Sequence, residues 1–253
     1  MKKTIKAITL ATTLSIAAAH TAFATPSTQI WIPSTDVQAF GTAHLNFDNY
    51  IRTTSNGNYA NTMMIGPTVG VLPFEKLQAE VGFDYMDTGL NSTADKHPIY
   101  FHAKLGTPEE SLFKYSPAIA VGGYNFGTNM DTAANGGTAQ NMVYGLVAKT
   151  LPLIGRISAG GYHGSEKVLV DERGIGANDG LLLSWDRTMS EISDKLWLAV
   201  DYQSGNSALG ALSFGASWAF AKNVSVIIGY DIYNNAVVGG KNTFTTQVDI
   251  NFP

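Results

Sequence analysis

The last ten residues before the C-terminal Pro253 alternate without a break. Phe244, Thr246, Val248, Ile250 and Phe252 take the even positions, and Thr243, Thr245, Gln247, Asp249 and Asn251 the odd ones. Successive side chains of an extended chain point to opposite faces, so one face of this stretch is largely apolar and the other polar. The stretch before it behaves alike: Val224, Val226, Ile228, Tyr230 and Ile232 share one face, and Ser225, Gly229 and Asp231 the other. Ile227 is the exception. Twelve segments of this kind run near 38–53, 60–72, 76–88, 97–106, 115–127, 139–150, 155–165, 179–189, 195–204, 207–220, 223–233 and 242–252. Most reach the roughly 9–11 residues that a tilted membrane strand needs. Strands of soluble domains average about 5–6.

The connections separate into two kinds. Pro73-Phe74-Glu75, Leu151 to Ile154, Ser190 to Asp194 and Ala221-Lys222 are short, with Thr107 to Lys114 a longer member of the same set. The intervening ones, such as Thr128 to Thr138 and Glu166 to Asn178, are long and rich in Gly, Asn and Asp. Short turns on one rim and longer loops on the other describe a closed antiparallel barrel with both chain ends at the turn rim. Closure also pairs the edges that such long strands would otherwise expose. A two-sheet sandwich alternates as well, but aromatic placement separates the two. On the inferred outer face, Tyr85, Tyr124, Phe126, Tyr202, Tyr230 and Phe244 lie near the loop ends of their strands, and Trp185, Trp218, Phe220 and Phe252 near the turn ends. Two belts of rings match two membrane–water interfaces; a sandwich core gives no reason for them.

Composition agrees. Only 14% of residues are charged, against about 25% in soluble domains, and mean hydropathy is +0.02. Yet beyond the first residues no run approaches the 18 or so apolar residues of a membrane helix. The absence of cysteine excludes a disulfide-stapled fold. Lys2, Lys3 and Lys6, the apolar run Ala7 to Ala19 and Ala22-Phe23-Ala24 have the layout of a secretory signal peptide, with cleavage expected after Ala24. Removing three lysines makes a chain of net charge −4 more acidic, which argues against nucleic acid as a partner. The expected organisation is a signal peptide over 1–24, a periplasmic N-terminal segment over 25–35 and a barrel over 36–253. The segment carries Ile30-Trp31-Ile32-Pro33, and Pro33 discourages its continuation into the first strand as a central pairing. It is expected at the turn-side interface or in the lower lumen.

Signal peptide, alternating strands and a terminal aromatic together resemble Gram-negative outer-membrane β-barrel proteins of the porin-like class, from about Asp36 onward. The resemblance implies an all-β, closed antiparallel transmembrane barrel of about twelve strands in the outer membrane. Its implied partners are outer-membrane lipids and lipopolysaccharide, the barrel-assembly machinery, and small solutes or ions. In that class a C-terminal Phe preceded by alternating apolar residues is associated with recognition by the assembly machinery. Phe252 fits as that assembly signal, with Ile250, Val248 and Phe244; Pro253 departs from the pattern.

If the apolar faces meet lipid, the opposite faces line the lumen. They carry His44, Asp48, Arg52, Glu80, Asp84, His102, Lys104, Arg156, Ser184, Asp186, Asp201, Gln203, Asp231 and Asp249. Glu80 is expected to pair with Lys104, and Arg156 with Asp186. The excess of carboxylates suggests a narrow porin-like path for passive diffusion with a weak cation preference. Asp201 has the largest expected share, being near mid-height without an assigned basic partner. A plugged or structural barrel without transport is the alternative.

His163-Gly164-Ser165 at the loop rim offers a third reading. The His-x-Ser pair is similar to that of outer-membrane lipid hydrolases, although those carry Asn where Glu166 stands. Asp179 starts the next strand on the corresponding face; if the hairpin pairs it with Ser165, it cannot orient His163 unless the register shifts. No enzyme is expected on this ground. His44, His102 and His163 are scattered without zinc-site spacing, and none of the Gly-Gly pairs opens a helix as a phosphate loop would. No metal or cofactor is expected.

Overall fold

The computed structural model describes residues 27–54, 61–90 and 92–253. The expected signal peptide and its cleavage site lie outside the described residues. Twelve strands follow in order: β1 (Ala43–Arg52), β2 (Thr62–Gly70), β3 (Gln78–Asp87), β4 (Ile99–Thr107), β5 (Ala118–Gly127), β6 (Met142–Leu151), β7 (Gly155–His163), β8 (Asp179–Thr188), β9 (Leu196–Gln203), β10 (Ala211–Ala221), β11 (Val224–Tyr233) and β12 (Thr243–Phe252). Each pairs with its sequence neighbours, and β12 returns to β1 to close the barrel. The closing pair runs unbroken from Ala43↔Phe252 to Arg52↔Thr243. The alternation at the C-terminal end thus sets the register of the seam, since a slip of one residue would turn its apolar face inward.

The barrel is apolar outside and polar inside. Phe47, Ile51, Val81, Val121, Val147, Ile157, Val200, Phe214 and Ile228 point outward around the circumference and are 36–53% exposed. A soluble monomer seldom shows more than a few hundred Å² of contiguous apolar surface. Inside, Glu80, Asp201, Asp231 and Asp249 are at most 1% exposed. The aromatics Tyr85, Trp218, Phe220, Phe244 and Phe252 are 38–65% exposed on the outer face. Trp185, Tyr202 and Tyr230 share that face, opposite Ile157, Leu183 and Phe214 respectively.

Tyr124 departs from the expected belt. The β4–β5 register shifts between Phe101↔Phe126 and Ala103↔Gly123, and Asn125 takes a left-handed φ of 55°. That extra residue forms a bulge, which re-aims neighbouring side chains. It sets Phe126 outside opposite Phe101, while Tyr124 keeps the inward parity of Ala118 and Ala120 and lies edge-on against Tyr144 with ring centroids 5.8 Å apart.

Of the two places expected for the N-terminal segment, the turn-side interface and the lower lumen, its described part from Ser27 takes the lumen. From Ser27 it runs inside the barrel as a tight hairpin. Gln29 N donates to Ile32 O (2.7 Å), Ser34 N donates to Ser27 O (3.1 Å), and Thr28 bridges Pro33. It reaches well beyond the lower lumen, since Trp31 lies edge-on to Tyr50 and Tyr233 near the loop ends of β1 and β11 (5.3 and 5.6 Å). One stretch of inner wall is apolar to receive it. Ile32 packs with Met142, Tyr144, Leu146, Tyr162, Leu169 and Leu182, and Ile30 with Trp197, Ala199 and Ile227. Ile227, the exception to the β11 alternation, faces inward because it has this apolar partner.

Loop acids stabilise the loop rim locally. Asp95, between β3 and β4, accepts from Thr88 N and Oγ1 (2.9 and 2.7 Å) and from Ser92 N and Oγ (2.8 and 3.0 Å). Partial burial alone would raise its pKa, but these donors outweigh burial and hold the carboxyl down at about 2. A depressed carboxylate contributes stability above its unfolded pKa and loses it as pH falls through the folded one. Protection of the Thr88 and Ser92 amides in hydrogen exchange is therefore expected to persist at pH 5 and to disappear between about pH 4 and 2. Asp95→Asn should abolish that step. For the plug, Ile32→Ala should weaken seating by about 2–5 kcal/mol. Protease cleavage within 27–38 should then rise while strand protection stays unchanged; unchanged cleavage would show that Ile32 does not hold the segment.

Candidate functional site

The lumen is built around the hairpin, and five of its charged groups, Glu80, Lys104, Arg156, Asp186 and Asp201, contact it. Near the turn rim, Glu80 and Lys104 pair across β3 and β4 at 3.1 Å, as their heights suggest. Ser27 Oγ donates to Glu80 Oε1 (2.8 Å) and Gln38 N to Glu80 Oε2 (2.6 Å). Lys104 Nζ donates to the carbonyls of Ser27 and Asp36 (2.9 and 2.6 Å). Arg156 bridges Asp186 of the wall (2.9 Å) to Asp36 of the segment (2.7 Å). Asp186 also receives Gln29 Nε2 (3.0 Å) and Trp197 Nε1 (3.1 Å).

Asp201, expected as the unpaired source of selectivity, is instead the anchor of the hairpin tip. Its Oδ2 accepts from Ile30 N (2.8 Å) and Trp31 N (2.9 Å). Strand amides are committed to the ladder, whereas a chain reversal presents adjacent amides that are free to bind a carboxylate. Gln247 Nε2 donates to Ile30 O (2.7 Å) and Trp31 Nε1 to Leu209 O (2.8 Å), completing the seat. Asp231, wholly buried, accepts from Thr243 Oγ1 at 2.7 Å. Gln203 Oε1 accepts from Tyr124 OH at 3.2 Å, and Ser184 is buried on the same side. Asp231 and Ser184 lie away from the open cavity, whereas Tyr124 and Gln203 face it.

The other half stays open. A cavity of about 290 Å³ lies between the hairpin and the wall formed chiefly by β1–β5, and it has two ends of different character. Toward the turn rim it is lined by His44, Asn46, Asp48, Asp84, His102 and Asp249; toward the loop rim by Trp31, Tyr50, Tyr124, Tyr233 and Arg52. His102 Nδ1 sits 3.0 Å from Asp84 Oδ2, and His102 Nε2 is 2.9 Å from Thr68 Oγ1. This cluster depends on two glycines. A Cβ at Gly66 would stand 2.1 Å from Asp84 Oδ1, and one at Gly82 would stand 2.2 Å from His102 Nε2. His44 Nε2 lies 3.4 Å from Asp249 Oδ1. At the mouth, Arg52 Nη1 donates to Lys241 O, and the guanidinium lies 5.0 Å from the Tyr233 ring centre. Among the described residues, no group of three or more His, Asp or Glu side chains could hold a metal ion.

At the loop rim the β7–β8 register is the shifted one of the two considered. His163, not Ser165, opposes Asp179, and His163 Nδ1 lies 2.5 Å from Asp179 Oδ1 with both side chains about two-thirds exposed. Ser165 turns into the loop, where its N–H donates to Gln140 O at 2.8 Å. It shares a shallow cleft with His163, Glu166, Lys167 and Asn178. No hydrogen bond joins Ser165 to His163 among those of the described residues.

The anchoring role of Asp201 has a direct test. Asp201→Ala removes two charge-assisted hydrogen bonds, each worth about 1.5–3 kcal/mol. Exchange of the Ile30 and Trp31 amides is expected to accelerate at least roughly a hundredfold. Unchanged exchange would show that the tip is held elsewhere.

No protein-family model matches the chain, and no curated protein matches it. Among solved structures, the chain is similar to the KdgM porin, with 7% identity, a TM-score of 0.50, and coverage of 84% of this chain and 98% of that one. A membrane protein solved in a study of in-meso crystallization matches at 13% identity and a TM-score of 0.50, over 84% of this chain and 83% of that one. An outer-membrane channel from Pseudomonas putida F1 aligns at 12% identity with a TM-score of 0.49, over 87% and 100%. At such identities the likeness is one of fold: the chain has the closed antiparallel barrel of outer-membrane porin-like proteins.

Proposed function

We propose that the protein is an outer-membrane, porin-like barrel. Small solutes pass through it by a narrow route beside the N-terminal hairpin, with a weak preference for cations. The turn rim then faces the periplasm and the loop rim the exterior. The observation that carries the reading is the divided lumen. One wall is sealed by the hairpin, and the other keeps a cavity of about 290 Å³ faced by the carboxylates of Asp48, Asp84 and Asp249. The clamp of Glu80, Lys104, Asp36 and Gln38 crosses the periplasmic end of that route and sets how narrow it is. Fixed carboxylates between low-dielectric walls favour cations in the path. Asp201 contributes little to this preference, because it lies behind the hairpin tip rather than along the route.

Planar-bilayer recording of the purified protein tests the proposal. Wild type is expected to give small currents whose cation preference grows at low salt, as screening lengthens from about 10 Å at 0.1 M to about 30 Å at 0.01 M. Asp48→Asn should lower the preference. Asp201→Asn should leave it unchanged and raise the conductance by loosening the hairpin. A barrel that is electrically silent both as wild type and as Asp201→Asn is no channel.

A second reading, hydrolysis of lipid esters at the exterior rim, is favoured by one observation, the 2.5 Å contact of His163 with Asp179. A base so oriented needs its other nitrogen on the nucleophile, and Ser165 is not hydrogen-bonded to it. Wild type is expected to hydrolyse no phospholipid or lipopolysaccharide ester. Activity that disappears in Ser165→Ala would reverse this ranking.

A further inference from the structure

The open cavity has an acidic end and an aromatic end on the same strand. Asp48 and Tyr50 both face inward from β1, two residues apart, which separates their side-chain origins by about 6–7 Å along the strand. The charged neighbours of Asp48 are themselves acids, Asp249 and Asp84. Those two are committed to His44 and His102. Asp48 is not. Its Oδ2 accepts only from the neutral Asn46 Nδ2 (3.1 Å), and its Oδ1 has no partner among the described residues. The residue is only 7% exposed. A carboxylate oxygen so deeply buried requires a donor. Above it, Tyr50 and Trp31 meet edge to face at 5.3 Å and form one wall. Met64, cross-strand from Asp48, supplies soft apolar surface beside them.

We propose that this cavity is a binding site for a small amphipathic amine: a ring held against Trp31 and Tyr50, with an ammonium group donating to Asp48. Complementarity is of two kinds. The ammonium supplies both the missing donor and the missing positive charge, and a desolvated cation beside aromatic faces gains further attraction. An anionic solute would meet Asp48, Asp84 and Asp249 together. A bare metal ion finds no set of three ligands there among the described residues. The inference shares with the channel reading only the access of solutes from the loop rim; it does not require that they cross the barrel.

Isothermal calorimetry on the full chain in detergent micelles tests it, with phenethylamine as the probe and 2-phenylethanol and 3-phenylpropionate as neutral and anionic matches. Saturable binding of phenethylamine is expected, at least about tenfold tighter than that of either match, as one charge-assisted hydrogen bond implies. Asp48→Asn should erase the preference for the amine over the alcohol. Tyr50→Ala should weaken amine and alcohol alike. Absence of saturable phenethylamine binding, equal binding of the alcohol, or an undiminished amine preference in Asp48→Asn would each overturn the assignment. If Asp48→Asn fails to fold, the comparison of amine with alcohol on wild type decides. Amine binding by a barrel that never conducts leaves this inference standing and removes the channel reading. Conductance without amine preference does the reverse.

Discussion

Every backbone amide and carbonyl within a membrane must find a partner inside the protein, and the pairing of β12 with β1 is what completes that condition here. An open sheet of twelve strands would leave two unpaired edges in lipid. Closure fixes almost everything else. It forces one face of each strand outward and one inward, so the period-two pattern becomes an apolar exterior and a polar interior. It also creates an interior volume that must be filled by side chains, water or another part of the chain.

In this barrel part of the chain fills it. The hairpin from Ser27 to Gln38 is held by two physically different contacts. Ile30 and Ile32 enter an apolar trough on β6–β9 and β11. The backbone of the tip and the neck is held by Asp201, Gln247, Glu80 and Lys104. Glu80, Lys104, Arg156, Asp186 and Asp201, which from the strands alone look like lining, thus also hold the hairpin. Acids on the opposite wall behave differently, because the hairpin does not reach them. Asp84 and Asp249 turn to histidines, and Asp48 to Asn46. One inward-facing set of residues therefore divides into a seat and a cavity.

The two glycines beneath the Asp84–His102 pair illustrate how closely the open wall is built. Gly66 on β2 leaves the space that Asp84 of β3 occupies, and Gly82 on β3 the space that His102 of β4 occupies. Glycine within a strand weakens it and therefore marks a close approach. Here the approaching groups are a carboxylate or an imidazole together with a backbone carbonyl, that of Phe83 at Gly66 and of Pro67 at Gly82. The rim pair of His163 and Asp179 shows the opposite situation, with both side chains about two-thirds exposed.

Strand number, pairing order, the two faces of the strands apart from Tyr124, and the pairs Glu80–Lys104 and Arg156–Asp186 were legible in the sequence. They follow from period and from loop length, which are local properties of an extended chain. That Tyr124 and Phe126 face opposite ways was not, because the single left-handed residue between them, Asn125, reverses parity without changing the alternation on either side. Nor was the position of Asp179 opposite His163, since a long loop leaves hairpin register free by two residues. The hairpin left only a faint mark in the sequence: Ile227, apolar on a polar face, together with Ile30-Trp31-Ile32. An apolar residue facing a lumen signals a partner, but it cannot say which distant segment supplies it. The sequence by itself determined the barrel, because hydrogen-bond closure and alternation admit one arrangement. Which carboxylates hold the plug and which face open space was decided only by the tertiary structure, where a segment far away in the chain comes to lie against one wall and not the other.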